Sequence, residues 1–183
     1  MKKVFLWALC SSLFFACSNE KSTEAKMEAS PSAANAETKM APVEFADAKY
    51  IEMGKKGLAA LTAGDVSGFV NNYADNAVYV FNNGDSISGK AAITSYWTQR
   101  RTELMDSINF TDHIFLPIKV NQPQSVEQPG VWLLSWYRVS TKYKTGKTMT
   151  QWIHTDLHFN GADQVDRVIQ YLDRVPINAA MAK

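Results

Sequence analysis

The sequence predicts an α+β fold in which three helices from its first half pack on the concave face of a curved, mostly antiparallel sheet. Segments whose apolar residues recur at helical spacing lie between residues 46 and 105, whereas alternating segments typical of strands follow between 108 and 173. Short turns join the late strands, as at Asn160-Gly161, and such turns favour antiparallel pairing of neighbours. Helices gathered on one side of an antiparallel sheet are typical of this class.

The first predicted helix covers residues 46–63 and ends at Gly64, a residue type that commonly terminates helices. Asp65 is the expected N-cap of a second, short helix, whose apolar residues Val66, Phe69, Val70 and Tyr73 recur at helical spacing. The third helix is expected over residues 90–105, where an amphipathic pattern turns Ile93, Tyr96, Trp97 and Leu104 toward a core.

Six strands are predicted around these helices. Residues 77–81 and 86–89 flank a turn at 82–85 that is rich in asparagine and glycine. Four longer strands follow over 108–120, 131–143, 148–159 and 165–173, with a polar loop over 122–130. The late strands therefore form an antiparallel meander.

The N-terminus has the pattern of a secretory signal. Lys2 and Lys3 precede an uncharged, mostly apolar stretch over residues 4–16, which is too short to span a bilayer. Ala16-Cys17 at its end resembles the lipobox of bacterial lipoproteins, although two phenylalanines stand where that motif is usually less bulky. The resemblance implies cleavage before Cys17, acylation of that cysteine and membrane attachment through the lipid. An ordinary signal, which would leave Cys17 free, is the alternative.

Residues 17–45 are predicted to be a lipid-anchored cysteine followed by a disordered linker. Alanine, serine, glutamate, lysine and threonine dominate this segment, and such a composition buries too little apolar surface to fold. The folded domain is expected over residues 46–183. By the lipoprotein resemblance, Ser18 after the cysteine implies a place in the cell envelope, at the outer membrane of a Gram-negative cell.

Composition argues against several functional classes. The chain of 183 residues has a formal charge of +1, without the basic surplus that is usual in nucleic-acid-binding proteins. Two cysteines make neither a disulfide framework nor a four-cysteine zinc site. The sequence has no glycine-rich phosphate loop and no nucleophile-elbow motif, and we expect no cofactor.

Residues 57–97 resemble the SnoaL-like, ketosteroid-isomerase-like family, also called nuclear-transport-factor-2-like. The resemblance depends on Ala-Gly-Asp at 63–65, Tyr-Ala-Asp-Asn-Ala-Val at 73–78 and Gly-Lys-Ala-Ala-Ile at 89–93, and it continues at 159–162. It implies a cone-shaped fold with a pocket inside. Members of the family include isomerases, cyclases, dehydratases, epoxide hydrolases and proteins that only bind ligands.

The resemblance also indicates whether the residues that isomerase catalysis needs are present. It places the general base of ketosteroid isomerase at Phe81, its tyrosine proton donor at Gly57 and its protonated aspartic acid at Thr155. Because enolisation needs a base and an oxyanion donor, these substitutions argue against isomerase activity. The acidic residue of the family's cyclases falls on Gln170, whose amide can orient a ligand but cannot exchange a proton.

The predicted ligand-binding residues are Tyr79, Phe81, Trp97, Thr155 and Gln170. The aromatic side chains among them would suit a flat, apolar ligand. Packing in an ordinary core is the alternative reading for the same aromatic residues.

Asp112 is the candidate catalytic residue. It occurs in register with the apolar Phe110 and Ile114, so alternation predicts that it points into the cone. A carboxyl group buried there would have a raised pKa and could act as an acid or base. A strand bulge would instead change its direction.

His154, Asp156 and His158 alternate along one strand and share a face. They could form a metal or acid–base site, but the core is expected on the opposite face, with Ile153, Thr155, Leu157 and Phe159. We therefore expect an outer-face position and no metal site. Trp132, Trp136 and Arg138 on the neighbouring strand could form a homodimer interface there.

Three hypotheses follow from the sequence. The first is a lipid-anchored domain that binds a small apolar molecule in its cone without strong catalysis. The second is an isomerase-, cyclase- or hydrolase-type enzyme that acts on a small hydrophobic carbonyl compound and uses Asp112. The third is a dimer-forming structural module whose pocket is filled by its own side chains.

Overall fold

The computed structural model describes residues 40–125 and 127–182. The predicted signal segment, Cys17 and the linker up to residue 39 lie outside the described residues. Within the part of the chain that is described, no helix combines the length and the apolar character that crossing a bilayer requires.

Seven strands form one sheet in the order β1-β4-β5-β6-β7-β2-β3. They are β1 (Val43–Phe45), β2 (Tyr73–Phe81), β3 (Ser86–Ser88), β4 (Met105–Val120), β5 (Gly130–Tyr143), β6 (Thr148–Phe159) and β7 (Val165–Tyr171). The β2–β7 pair is parallel and the other neighbouring pairs are antiparallel. The mostly antiparallel sheet of the α+β prediction is confirmed.

Four α-helices accompany the sheet: α1 (Lys49–Ala63), α2 (Val66–Phe69), α3 (Lys90–Gln99) and α4 (Arg174–Met181). As expected, α1 ends at Gly64, whose φ of 83° lies in the left-handed region that glycine adopts without strain. The Asp65 carboxylate caps α2 by accepting a hydrogen bond of 2.8 Å from the backbone N–H of Gly68. The third predicted helix is divided, because α3 continues as a π-helical turn over Arg100–Leu104.

The predicted second helix ends early, because residues 70–72 form a turn and Tyr73 begins β2. The helix stops at Phe69, and Tyr73 already belongs to β2, where it pairs with Val165 of β7. Local spacing over 66–73 fits a helix, but the parallel pairing with β7 is contributed by a segment more than 90 residues away. A tertiary contact of this kind overrides a weak local preference.

Two elements were not predicted. Strand β1 lies in the segment assigned to the linker and pairs with the end of β4 through Val43–Val120 and Phe45–Ile118. Helix α4 follows β7 and places Ile177 and Ala180 among buried residues. A three-residue strand and an eight-residue helix offer too few periods for a pattern to be recognised.

Asp163 holds three elements together at the turn between β6 and β7. Its carboxylate accepts hydrogen bonds of 2.6 Å from both the Lys49 ammonium group and the Tyr50 hydroxyl of α1. Its carbonyl accepts a hydrogen bond of 2.7 Å from the Asn72 side chain. The Lys49 and Tyr50 hydrogen bonds lower the pKa of Asp163. This network fixes the start of α1 over one end of the sheet.

Candidate functional site

A cavity of about 70 Å³ lies between the helices and the concave face of the sheet. Helix α1 forms one wall with Met53, Gly57 and Leu58, because these residues face the sheet at helical spacing. The rest of the lining comes from α2, α3 and the inward positions of the strands, and it includes Phe69, Tyr73, Tyr79, Trp97, Phe110, Phe115, Ser135, Tyr137, Thr155, Leu157, Phe159, Val168 and Gln170. The wall is therefore mostly apolar and aromatic.

Three polar side chains meet on the sheet side of this cavity. The Tyr137 hydroxyl and the Thr155 hydroxyl share a hydrogen bond of 2.7 Å. The Gln170 amide donates a hydrogen bond of 3.3 Å to the same Thr155 oxygen. They meet because β5, β6 and β7 are neighbours, with Thr155 opposite Gln170 in the register. The resulting network offers a ligand neutral donors and acceptors.

The phenol groups that line the cavity are protonated at neutral pH. Burial raises the pKa of Tyr73, Tyr79 and Tyr137, so each remains a hydroxyl donor. The Trp97 Nε1 group is buried and has no hydrogen-bond partner among the described residues. Of the described residues that line the cavity, none is a carboxylate, histidine, lysine or arginine. The wall can orient a ligand, but it contains no ordinary proton-exchanging group.

Four of the five predicted ligand-binding residues line this cavity, namely Tyr79, Trp97, Thr155 and Gln170. Phe81 does not. It lies next to Tyr79 in the core, with ring centroids 5.0 Å apart, and the Arg174 guanidinium lies 5.0 Å from its ring centroid. Alternation along β2 directs both side chains inward, but Phe81 packs among its neighbours outside the cavity wall.

Asp112 is not the buried acid that alternation predicted. Its side chain is 50% exposed, and its carboxylate lies 3.3 Å from the Arg138 Nε. Between Thr111 and Ile114 the pairing of β4 with β5 shifts by one residue, and Asp112 adopts a φ of 53° within this bulge. The extra residue reverses the alternation, so Ile114 becomes exposed while Phe115 faces the cavity.

Sequence reasoning missed much of the cavity wall. Phe110 and Phe115 both point inward because they flank the bulge, which no local pattern locates. Met53 and Leu58 can be assigned to the cavity wall only when it is known which face of α1 packs on the sheet. The inward positions of Ser135 and Tyr137 could have been found from their alternation with the fully buried Leu133.

The predicted outer-face histidines lie on the convex side of β6. Both nitrogens of the His158 ring contact protein acceptors: Nδ1 lies 2.5 Å from Asp166 Oδ1, and Nε2 lies 3.1 Å from the Pro129 carbonyl. Since both nitrogens are already engaged, the His158 ring offers no free ligand to a metal ion.

His154 has the same arrangement. Its Nδ1 lies 3.1 Å from the Ser135 carbonyl and its Nε2 lies 2.8 Å from Asp156 Oδ1. Burial raises the pKa of Asp156, and the neighbouring His154 partly opposes that rise. Among the residues that the structure describes, no three potential ligands are grouped for a metal ion.

Solved structures share this architecture at low sequence identity. A proposed polyketide cyclase from Xanthomonas campestris pv. campestris aligns over 72% of this chain and 96% of its own, with 16% identity and a TM-score of 0.58. A Catenulispora acidiphila DSM 44928 protein with a ketosteroid isomerase-like fold, in complex with trimethylamine, aligns over 71% and 92%, with 14% identity and a TM-score of 0.54. An NTF2-like protein of unknown function from Burkholderia pseudomallei K96243 aligns over 73% and 97%, with 9% identity and a TM-score of 0.56.

No protein-family profile matches the chain, and no curated protein matches its sequence. The structural likeness confirms the expected SnoaL-like, NTF2-like cone fold. At these identities the likeness concerns the fold alone, so function has to be argued from the cavity.

Proposed function

We propose that this domain binds a small, largely apolar molecule inside its cone and does not catalyse proton transfer. The observation that supports the proposal is the cavity of about 70 Å³ between the helices and the sheet, whose described lining is apolar except for neutral hydrogen-bonding groups. Such a wall gains free energy by removing apolar ligand surface from water. The network of Tyr137, Thr155 and Gln170 would fix the orientation of one polar atom on the ligand.

The size of the cavity restricts the ligand. Drug-sized molecules occupy pockets of at least about 300 Å³, and an engineered cavity of about 150 Å³ holds benzene. A cavity of about 70 Å³ therefore fits a molecule of a few heavy atoms, or a larger one if the helices move outward. The C. acidiphila protein of the same fold, in complex with trimethylamine, supports a ligand of this scale.

The chemistry of the wall argues against the enzymatic alternative. Phe81 cannot accept a proton, Gly57 has no side chain, and Asp112 lies outside the cavity. Burial raises the pKa of Tyr137, so its phenolate is scarce at neutral pH and cannot serve as a general base. The remaining polar groups can bind and polarise a carbonyl oxygen without removing a proton.

Gly57 offers a direct test, because it lines the cavity from the interior of α1. A Cβ added at Gly57 would have Phe69 as its nearest neighbour at 3.7 Å, an ordinary contact. We expect Gly57→Ala to raise the free energy of unfolding by about 0.5–1 kcal/mol and to preserve ligand binding. Gly57→Leu should fill the cavity and abolish binding of 1-butanol, followed through the Trp97 indole signal in ¹⁵N NMR spectra.

The alanine variant is the matched control, since both substitutions remove the same glycine. If 1-butanol leaves the Trp97 signal of the wild-type protein unchanged, the cavity does not bind small apolar molecules and the proposal is wrong. Equal 1-butanol binding by the leucine and alanine variants would place the 1-butanol elsewhere and contradict it as well.

We also propose that a second copy of the chain binds the convex face of the sheet. Ile114, Trp136, His154 and Tyr171 form one row across β4, β5, β6 and β7. Ile114 is 55% exposed and Tyr171 is 46% exposed. Trp152 is 49% exposed and lies on the same face of β6 as His154, two residues earlier in the strand. The Arg138 guanidinium lies 5.6 Å from the Trp152 ring centroid. We call these six residues the convex patch.

The charges and the area of the convex patch support a second copy of the chain as its partner. Its Arg138 is paired with Asp112, so two copies can meet without repulsion between like charges. Four strands about 4.8 Å apart, over about six residues each, give a flat area of about 400 Å². Stable interfaces bury about 800 Å² per partner, so we expect a weak dimer that depends on concentration.

We expect Trp152→Glu to make the protein monomeric at concentrations where the wild type sediments as a dimer. The substitution places a charge in an apolar contact, which opposes association. Lys142→Glu is the control, because Lys142 is exposed at the far end of β5. Sedimentation velocity across a concentration series measures the effect. A wild-type protein that stays monomeric, or a dimer that survives Trp152→Glu, contradicts this proposal.

The lipid anchor and the envelope location remain proposals of the same kind. They depend on the Ala16-Cys17 step and on the uncharged stretch before it. A lipid on Cys17 would hold the binding domain at a membrane surface through a linker of about 28 residues. The domain would then meet ligands that leave or enter the membrane.

A further inference from the structure

A second, smaller cavity adjoins the first. It has a volume of about 40 Å³ and lies toward α4, where Met105, Val139, Ile153 and Ile177 are among its walls. Trp97, Phe110 and Gln170 line both cavities and therefore form the partition between them. A rearrangement of these three side chains would join the two spaces into one elongated channel.

Arg100 is the one cationic residue on the described wall of the second cavity. It is the first residue of the π-helical turn after α3, and turns of this type occur frequently at functional sites. Its guanidinium lies 5.0 Å from the Tyr96 ring centroid, which is also part of the wall. Burial raises the pKa of Tyr96 and Tyr143, and the positive charge of Arg100 opposes both rises. The charge therefore acts on the interior of the cone.

No carboxylate of the described residues lies within ion-pair distance of Arg100. By contrast, Arg138 pairs with Asp112 and Arg174 pairs with Asp85, each at 3.3 Å. Arg100 is partly exposed, and no nitrogen of its guanidinium is among the buried side-chain atoms that lack a hydrogen-bond partner. Its guanidinium is therefore free to form two parallel hydrogen bonds with a bound carboxylate.

We propose that the ligand of this domain is a small apolar carboxylic acid, bound as its anion. Its carboxylate would pair with Arg100 in the second cavity, on whose wall Gln170 of the hydrogen-bonding network also lies. Its hydrocarbon part would pass the partition and lie against Trp97 and Tyr79 in the first. This inference rests on the proposed binding function and adds the chemical class of the ligand. It also explains why the first cavity needs no charged residue of its own.

Butyrate and 1-butanol are suitable probes, because they have similar hydrocarbon chains and differ in charge. We expect the wild-type protein to bind butyrate about tenfold more tightly than 1-butanol at neutral pH, as measured by NMR titration of the Trp97 indole signal. Arg100→Gln should remove this preference, so that the variant binds butyrate no more tightly than 1-butanol. Arg100→Lys should retain part of the preference, since it preserves the charge but not the two parallel hydrogen bonds.

Lys142→Gln is the control, because Lys142 is an exposed cationic residue that lines neither cavity. It should bind both probes like the wild type. Equal affinity of the wild type for butyrate and 1-butanol overturns the inference, and so does a butyrate preference that survives Arg100→Gln. If Arg100→Gln fails to fold, a preference that is undiminished in Arg100→Lys overturns the inference, whereas a diminished one supports it. Binding of 1-butanol without a butyrate preference would leave the binding function standing, whereas binding of neither probe would remove both.

Discussion

Replacing Leu133 with alanine is expected to lower the free energy of unfolding by about 3–4 kcal/mol. Leu133 is fully buried on the inward face of β5, and its Cδ2 atom packs against Gly54 of α1. A Cβ added at Gly54 would lie 2.6 Å from that atom, closer than real contacts allow. The pair therefore sets how closely the main helix approaches the sheet, and with it the width of the cone.

Gly54→Ala should destabilise the protein despite the higher helix propensity of alanine. We expect a net loss of about 1 kcal/mol, because overpacking against Leu133 outweighs the gain of about 1 kcal/mol from the helix. In the double variant the new methyl group enters the space that Leu133 vacates. The combined loss should fall short of the sum of the single losses by about 1 kcal/mol.

Urea unfolding of the four proteins in this cycle measures the coupling. Gly57→Ala is the control for helix propensity, since it lies in the same helix without a steric conflict. Additive losses in the cycle, or a Gly54→Ala variant as stable as Gly57→Ala, would contradict the role given to this contact.

Replacing Cys17 with serine is expected to move the protein from the membrane fraction to the soluble fraction. Acyl chains on the cysteine would supply the hydrophobic energy that holds the chain at a bilayer, and serine cannot be acylated in that way. The remaining linker is polar and has no apolar run that could replace the lipid. We therefore expect the change in distribution to be nearly complete when cell fractions are compared by immunoblotting.

Cys10→Ser is the matched control for the anchor. Cys10 lies within the apolar stretch of the signal, which cleavage before Cys17 would remove, so its substitution should leave the protein with the membranes. A wild-type protein in the soluble fraction would contradict the lipoprotein hypothesis. Retention of the Cys17→Ser variant at the membrane would do the same.

The fold was predictable wherever a local pattern recurred several times. The α1 boundary at Gly64, the Asp65 cap and the long strands β5 and β6 follow from glycine geometry, capping chemistry and alternation. The cavity was predictable in part. Tyr79, Trp97, Thr155 and Gln170 were identified, and all four line it.

The remaining features depended on contacts that no local pattern contains. The bulge in β4 turns Asp112 outward, and it is visible only in the pairing of β4 with β5. Alternation predicts the same inward direction for Phe81 and Tyr79, and both are buried, but Tyr79 lines the cavity and Phe81 does not. Arg100 lines the second cavity from the first position of a π-helical turn, which the amphipathic pattern over residues 90–105 did not predict.

The sequence by itself determined the class of the fold and the inward face of β6. These follow from residue identity and short-range periodicity, which a chain carries without folding. Only the tertiary structure decided that the interior is two small adjoining cavities, that Asp112 is outside them and that Arg100 is beside one. Volumes and side-chain directions depend on register shifts and on the packing of distant segments, since one extra residue in a strand reverses every position that follows.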